Sequence, residues 1–403
     1  MPRVLSLSTL YPNDANPRFG TFVARSLEAL QRETDWEVTV VNPIGLPPFP
    51  RRLLPARYRA LAEAAQDGLE NGISVHRPRF ALLPAIGGRF NPGAIARAVL
   101  PLVRELHRKT PFNLVDAQFF YPDGPAAARI AQALDLPLSI KARGADVHYW
   151  GEKSYARAAM IDAGKQAAGL LSVCEALARD MIELGLPRET ITIHYTGLDR
   201  DRFRPFDHTR LRSRLAEEFG ITISDRKPLL ATVGALIPRK GQSLVIEALA
   251  SLHDARLLLV GKGEDEADLR ALAQEKGLAD RVHFLGSLDH DLLPLVLSAA
   301  DAMVLPSSSE GLANAWVEAL ACGTPLVITD AGGAREVVDG PDAGTIVARD
   351  PGAIADGIRL VLSRQSSPQT VAAKAERFDW RVNGRTLGAY YDGIIRRSAM
   401  TKG

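Results

Sequence analysis

The sequence predicts an α/β protein built from two doubly wound domains in tandem, and three observations carry that reading. Short apolar β-type runs alternate with helical patterns along the chain, as parallel sheets covered by helices on both faces require. The alternation breaks once, in the charged and turn-rich stretch from residue 199 to 228, and then restarts. The chain has 403 residues, 46% of them hydrophobic and 24% charged, which suits two or three domains of roughly 100–200 residues each. It is too apolar and too evenly charged for a disordered chain.

In the first half the strands are read at Val4–Thr9, Glu37–Asn42, Ser74–Arg77, Leu114–Gln118, Leu138–Ala142, Gly169–Val173 and Thr192–Tyr195. Amphipathic helices are read between them at Phe22–Arg32, Ala94–Arg108, Pro125–Leu134 and Glu175–Leu184, while Pro47–Pro55 reads as loop. The connection comprises Asp199–Pro205, a polar helix and the turn Ser224-Asp225-Arg226-Lys227-Pro228. The second half reads as strand Leu229–Val233, helix Gln242–Leu252, strand Arg256–Val260, helix Glu266–Glu275, strand Val282–Leu285, helix Leu292–Ala299, strand Ala302–Leu305, helix Asn314–Ala321 and strand Leu326–Thr329. Beyond about residue 375 the tail is helical, with Trp380, Tyr390 and Tyr391 as apolar anchors. The domains are placed at 1–200 and 201–375, with a helical tail at 376–403 that packs back on the first domain. Two such domains are expected to face each other across a cleft, with ligands in the loops that leave the carboxyl ends of the strands.

Charge and cysteine usage narrow the function. With 49 Lys+Arg against 47 Asp+Glu the formal charge is +2, which argues against a dedicated nucleic-acid binder. The two cysteines, Cys174 and Cys322, are too few for a disulfide framework and lack metal-ligand spacing; they read as buried thiols in a reducing compartment. The N-terminus runs into a strand with no signal-peptide core, and no run of about 18 apolar residues occurs, so a cytoplasmic location is expected.

The most informative loop is Pro306-Ser307-Ser308-Ser309-Glu310-Gly311-Leu312-Ala313-Asn314, which leads from a strand into a helix. The open N–H groups of that helix's first turn suit a phosphate. Glu310 precedes the helix and Glu318 is read about two turns into it, so one carboxylate can meet the reacting end of a ligand while the other holds a polyol such as ribose. Arg239-Lys240-Gly241 occupies the same topological position after the first strand of the second domain, where two cations can stabilise charge developing on a leaving diphosphate. Taken singly, a solvated glutamate or an exposed basic pair is the plainer reading. Gly261-Lys262-Gly263 and Gly332-Gly333 follow further strands, and Lys262 is a candidate ligand contact. In the first domain the loop from Thr9 to Gly20-Thr21, the loop at Phe119–Gly124, and Arg143-Gly144-Ala145-Asp146-Val147-His148 all follow strands. His148 is either a base or an ordinary structural histidine. No Asp-x-Asp pair or His/Cys cluster suggests a metal site.

Together these strings resemble the family 4 retaining glycosyltransferases, whose GT-B fold sets two Rossmann-like domains opposite one another. The resemblance rests on the Glu-x7-Glu pattern of Glu310 and Glu318, Arg239-Lys240-Gly241, Gly323-Thr324-Pro325, Gly332-Gly333, and Gly197-Leu198-Asp199 with Phe203 and Pro205. It covers nearly the whole chain. It implies that Glu310 contacts the donor sugar, Glu318 the nucleotide ribose, and Arg239 with Lys240 the diphosphate. It further implies a phosphate site formed by Gly311, Leu312, Ala313, Asn314 and Gly20, with Lys262 nearby, and base recognition by backbone around Phe284 and Leu285. Arg143, Asp146 and His148 are implied as acceptor or sugar contacts. The implied reaction is metal-independent transfer of a sugar from a nucleotide-diphosphate-sugar co-substrate, with no other cofactor, to a glycan or lipid-linked hydroxyl during bacterial surface polysaccharide assembly.

This sequence departs from the family pattern in three places. Arg143 stands where relatives place the histidine of His-Gly-x-Asp, Ala235 where they place an arginine, and Lys262 where they often place an acid. A GT-B nucleotide-sugar epimerase and a catalytically degenerate nucleotide-binding protein therefore stay open as alternatives. The basic segment Arg51–Arg59, with Leu53, Leu54 and Tyr58 as anchors, offers a peripheral contact with the inner face of the membrane or, more plainly, a solvated loop.

Overall fold

The computed structural model describes residues 1–83, 87–221, 223, 227–289 and 291–402. Ser224, Asp225 and Arg226 of the expected connection lie outside the described residues, as does the side chain of Arg51. The chain divides into two compact units, Met1–Gly197 with Trp380–Gly403, and Leu198–Asp379.

The strands of the first unit are β1 (Arg3–Leu7), β2 (Glu37–Val41), β3 (Ile44–Leu46), β4 (Gly68–Glu70), β5 (Ile73–His76), β6 (Arg79–Ala81), β7 (Leu114–Ala117), β8 (Leu138–Ala142), β9 (Gly169–Ser172) and β10 (Ile191–Ile193). Among the described residues, eight of them form a sheet in the order β10-β9-β8-β7-β1-β2-β5-β4, parallel except for the β4–β5 pair, while β3 and β6 pair separately. The second unit contains β11 (Leu229–Val233), β12 (Arg256–Val260), β13 (Val282–Gly286), β14 (Ala302–Leu305), β15 (Leu326–Thr329) and β16 (Gly344–Val347). They form a parallel sheet in the order β13-β12-β11-β14-β15-β16. The central strands have continuous apolar runs because both faces are covered by helices; Leu257, Leu258 and Leu259 are all fully buried. Each unit is thus a doubly wound α/β domain.

Most expected elements are present within a residue or two. The exceptions are short or half-exposed: β3, β4, β6 and β16 carry no apolar run long enough to stand out. Helices Ala56–Ala64, Ser154–Gln166 and Pro351–Ser363 likewise add to the reading.

The boundaries shift by a few residues from 200/201 and 375/376, and backbone pairing gives the reason. Leu198 donates its N–H to the Phe378 carbonyl and forms a parallel bridge with Asp379, which ties both crossings into the second unit. Trp380 packs on Gly197 in the first unit. The tail is a single helix, Trp380–Lys402, lying on helix Thr21–Glu33. Tyr391, Leu387 and Ile394 join the core formed by Leu27, Leu30 and Trp36, and Trp36 Nε1 donates to Asp392 Oδ1 at 3.0 Å. The tail therefore belongs to the first domain.

The segment expected to anchor on a membrane folds differently. Leu54 and Tyr58 are buried, because Arg51–Leu53 forms a 3-10 turn and helix Ala56–Ala64 then packs on β3. Leu53 remains exposed, so of the three anchors only one is available.

Candidate active site

In the second unit the chain moves outward from β11 through β12 and β13, then returns to place β14 on the other side of β11. The winding direction reverses there, and loops leaving strands at such a switch point form the ligand crevice of doubly wound sheets. The loop after β11 carries Arg239 and Lys240; the loop after β14 carries Glu310. Residues 70 apart in sequence meet for that topological reason.

Lys240 Nζ bonds Glu310 Oε1, and Arg239 Nη1 lies 3.4 Å from Glu310 Oε2. The loops are also joined through backbone: Ser308 N–H donates to the Arg239 carbonyl at 2.8 Å, and Arg239 Nη1 donates to the Ser309 carbonyl. The side chains of Glu310 and Lys240 are 8% and 13% exposed, whereas that of Arg239 is 44% exposed. Lys240 and Glu310 thus form a largely buried pair, with Arg239 on its more exposed side.

Neighbouring loops hold this arrangement. Gly332 adopts φ +54°, and a Cβ there would lie 2.2 Å from the Glu310 carbonyl oxygen, so only glycine lets the loop after β15 come this close. Gly333 N–H donates to the Gly311 carbonyl at 2.7 Å. Arg349, after β16, reaches both sides of the switch point: Nε donates to Pro306 O at 3.0 Å and Nη2 to Pro238 O at 2.9 Å. The sequence reading missed Arg349 because it omitted β16, the strand that delivers it.

Helix Asn314–Ala321 opens after Ala313 with no side-chain cap on its first N–H groups, and Gly311 and Leu312 lie just before it. Because the helix starts at Asn314, Glu318 sits just over one turn in rather than two. It is buried, and burial alone raises its carboxyl to about 7. Lys262 is exposed in the loop after β12, and its carbonyl accepts the Leu236 N–H at 3.1 Å, which joins this loop to the one after β11. Phe284 and Leu285 lie half-buried on the edge strand β13, with the Arg270 guanidinium 4.2 Å over the Phe284 ring. Both cysteines are buried and neither is in a disulfide, and burial pushes the Cys322 thiol up to about 12.

In the first unit the winding reverses between β1 and β7. Gly20 precedes helix Thr21–Glu33 at φ +72°, and a Cβ there would lie 2.5 Å from the Leu10 carbonyl carbon, so local packing alone accounts for this glycine. Arg143 follows β8; its Nε donates to Gln118 O at 2.7 Å and its Nη2 to Gln118 Oε1 at 2.6 Å, with Phe22 4.6 Å from the guanidinium carbon. Gln118 and Phe22 escaped the sequence reading, being residues of no marked chemistry.

Asp146 corrects an expectation. It is fully buried, and its carboxyl accepts the backbone N–H groups of Phe120, Arg143, Gly144 and Val147. It holds the turn after β8, with its carboxyl taken up by these donors rather than open to a sugar. His148 lies in the π-helical turn Asp146–Trp150, where its Nε2 is 2.8 Å from Asp180 Oδ2. That contact supports its structural reading.

Among the described residues no group of three His, Cys, Asp or Glu could hold a metal ion, and no helix is long and apolar enough to cross a membrane.

Comparison with known proteins places this fold in a class. Anabaena HepE, solved in complex with UDP, superposes with a TM-score of 0.72 at 19% identity over 98% of this chain and 100% of that one. The fold is that of the GT-B class, two Rossmann-like domains. Residues 20–197 match the family profile described as glycosyl transferase 4-like domain, and residues 213–378 that described as glycosyl transferases group 1. A Bacillus subtilis (strain 168) glycosyltransferase assigned to teichuronic acid biosynthesis is 27% identical over 98% of this chain and 100% of its own length. A GDP-mannose-dependent alpha-(1-6)-phosphatidylinositol monomannoside mannosyltransferase of Mycolicibacterium smegmatis is 33% identical over 50% of this chain and 56% of its own length. The chain belongs to the family 4 glycosyltransferases.

Proposed function

We propose that this glycosyltransferase moves a sugar, with retention of anomeric configuration and without a metal ion, from a nucleotide-diphosphate-sugar to a hydroxyl acceptor in bacterial surface-glycan assembly. The observation that carries the reading is the convergence of Lys240 and Arg239 on Glu310, beside the uncapped start of helix Asn314–Ala321. A diphosphate arriving at that helix start competes for the same two cations. Their exchange from Glu310 to the phosphate stabilises leaving-group charge as the sugar–oxygen bond breaks. Glu310 is then freed to contact the sugar.

Glu318 is the ribose acceptor: its carboxyl lies buried on the same helix, and a hydroxyl donor offsets the cost of ionising it there. Gly311, Leu312, Ala313 and Asn314 offer backbone to the phosphates, with Lys262 as a supplementary cation. Phe284 and Leu285 flank the base. The acceptor hydroxyl attacks the same sugar face from which the diphosphate departs; its oxygen bonds to the anomeric carbon and its proton passes to the departing phosphate oxygen. The complex of HepE with UDP and the mannosyltransferase's dependence on GDP-mannose support a nucleotide-sugar donor. The teichuronic acid relative supports a surface polysaccharide as destination.

A thermal-shift screen against UDP, GDP, ADP and CMP and their sugar conjugates, with and without EDTA, tests this reading. Stabilisation by one nucleoside diphosphate and its sugar, unchanged by EDTA, is expected. Stabilisation that EDTA abolishes contradicts metal independence, and no response to any nucleotide contradicts the donor site.

A further inference from the structure

The first unit holds a cation without a carboxylate partner. The Arg143 guanidinium is fixed by neutral groups, the two acceptors of Gln118 and the ring of Phe22. The nearby carboxylates are Asp116 and Asp146, and neither forms an ion pair with it among the described residues. Asp146 is occupied by four backbone N–H groups, and Asp116 Oδ2 accepts from Ser6 Oγ at 3.2 Å and Gln118 Nε2 at 2.6 Å. Lys141, earlier on β8, does not neutralise either acid by contact: its Nζ lies 2.7 Å from His194 Nδ1.

Arg143 Nη1 has no acceptor among the described residues, although the rest of the guanidinium is anchored. Burial lowers this group only to about 10, which leaves it protonated at neutral pH. A part-buried cation with a donor to spare gains from an anion that brings its own acceptors, and a guanidinium locked in plane is prepared for carboxylate or phosphate oxygens. Gln118 and Phe22 supply that lock.

We propose that Arg143 is the recognition site for an anionic group, carboxylate or phosphate, carried by the sugar acceptor. The word acceptor rests on the transferase reading above; the anion site itself does not. Arg143 thereby selects acidic over neutral acceptors.

Saturation-transfer NMR on the full chain with glucose, glucuronate and glucose 6-phosphate separates the possibilities. The wild-type chain is expected to bind at least one of the two anions tenfold or more tightly than glucose, and the preferred anion identifies carboxylate or phosphate as the source. Arg143→Gln should lose that preference, whereas Arg143→Lys should keep part of it. No anionic preference in the wild-type chain overturns the proposal, and so does a preference that Arg143→Gln leaves intact. The wild-type comparison needs no variant to fold. Nucleoside diphosphate binding, measured on the same samples, reports on the transferase reading separately, so either can fail while the other stands.

Discussion

The two units solve the same problem of placing charge beyond the carboxyl ends of their strands in opposite ways. In the second, opposite charges pair directly: Lys240 and Arg239 share Glu310, near enough to the surface for Arg239 to exchange partners. In the first, charges are held by neutral and backbone groups, Asp146 by N–H donors and Arg143 by Gln118. A carboxylate satisfied by backbone shapes the protein, whereas one satisfied by side-chain cations is released when those cations take another partner. The difference in partners, more than the residue types, separates the acid that holds a turn from the acid proposed to meet the donor.

Breaking the structural acid should have the largest effect. Asp146→Ala leaves several buried N–H groups without an acceptor, so a loss of about 3 kcal/mol or more is expected, at roughly 1–3 kcal/mol per orphaned group. Chemical denaturation measures it, and a change below about 1 kcal/mol would contradict the clamp role.

Glu318 lies between the two cases, because burial alone raises its carboxyl from 4.5 to about 7. Between those values the unfolded chain releases its proton first, so this group's stabilisation is complete below 4.5 and lost as pH rises through about 7. Glu318→Gln should match the wild-type chain near the lower limit and exceed it at pH ~8 by up to ~3 kcal/mol. The same variant should weaken nucleotide binding, since the ribose loses its carboxylate. Thermal denaturation against pH checks the first part and a nucleotide titration the second.

Breaking the Lys240–Arg239–Glu310 cluster should affect rate more than fold. Glu310→Ala and Lys240→Ala are each expected to lower turnover at least tenfold, ~1.4 kcal/mol or more of barrier, with little change in melting temperature. Near-wild-type release of nucleoside diphosphate from the cognate donor and acceptor would refute the assignments. Arg349→Ala, which removes the clamp on Pro306 and Pro238 without removing a site charge, should cost less than about 1 kcal/mol of barrier, a few-fold in turnover. A loss equal to that of Lys240→Ala would give Arg349 a direct role.

The same contrast explains what the sequence disclosed. Strands such as β11, β12, β14 and β15 are legible because burial on both faces demands continuous apolar runs. Arg239, Lys240 and Glu310 are legible because the alternation of elements identifies the loops that meet. Spacing shows where a residue sits along the chain but not what satisfies it. Asp146 therefore read as an acceptor or sugar contact, and Leu54 and Tyr58 as membrane anchors or parts of a solvated loop, although each is buried. Arg349, Gln118 and Phe22 act through contacts that no local pattern records.

The central claim is that Lys240 exchanges Glu310 for the donor diphosphate. Equilibrium titration of the stabilising nucleoside diphosphate into wild-type, Lys240→Ala and Glu310→Ala chains tests it directly. Removal of Lys240 should weaken binding at least tenfold, about 1.4 kcal/mol, while removal of Glu310, the competing acceptor, should leave binding unchanged or tighter. Equal weakening by both variants, or no weakening by Lys240→Ala, would contradict the exchange.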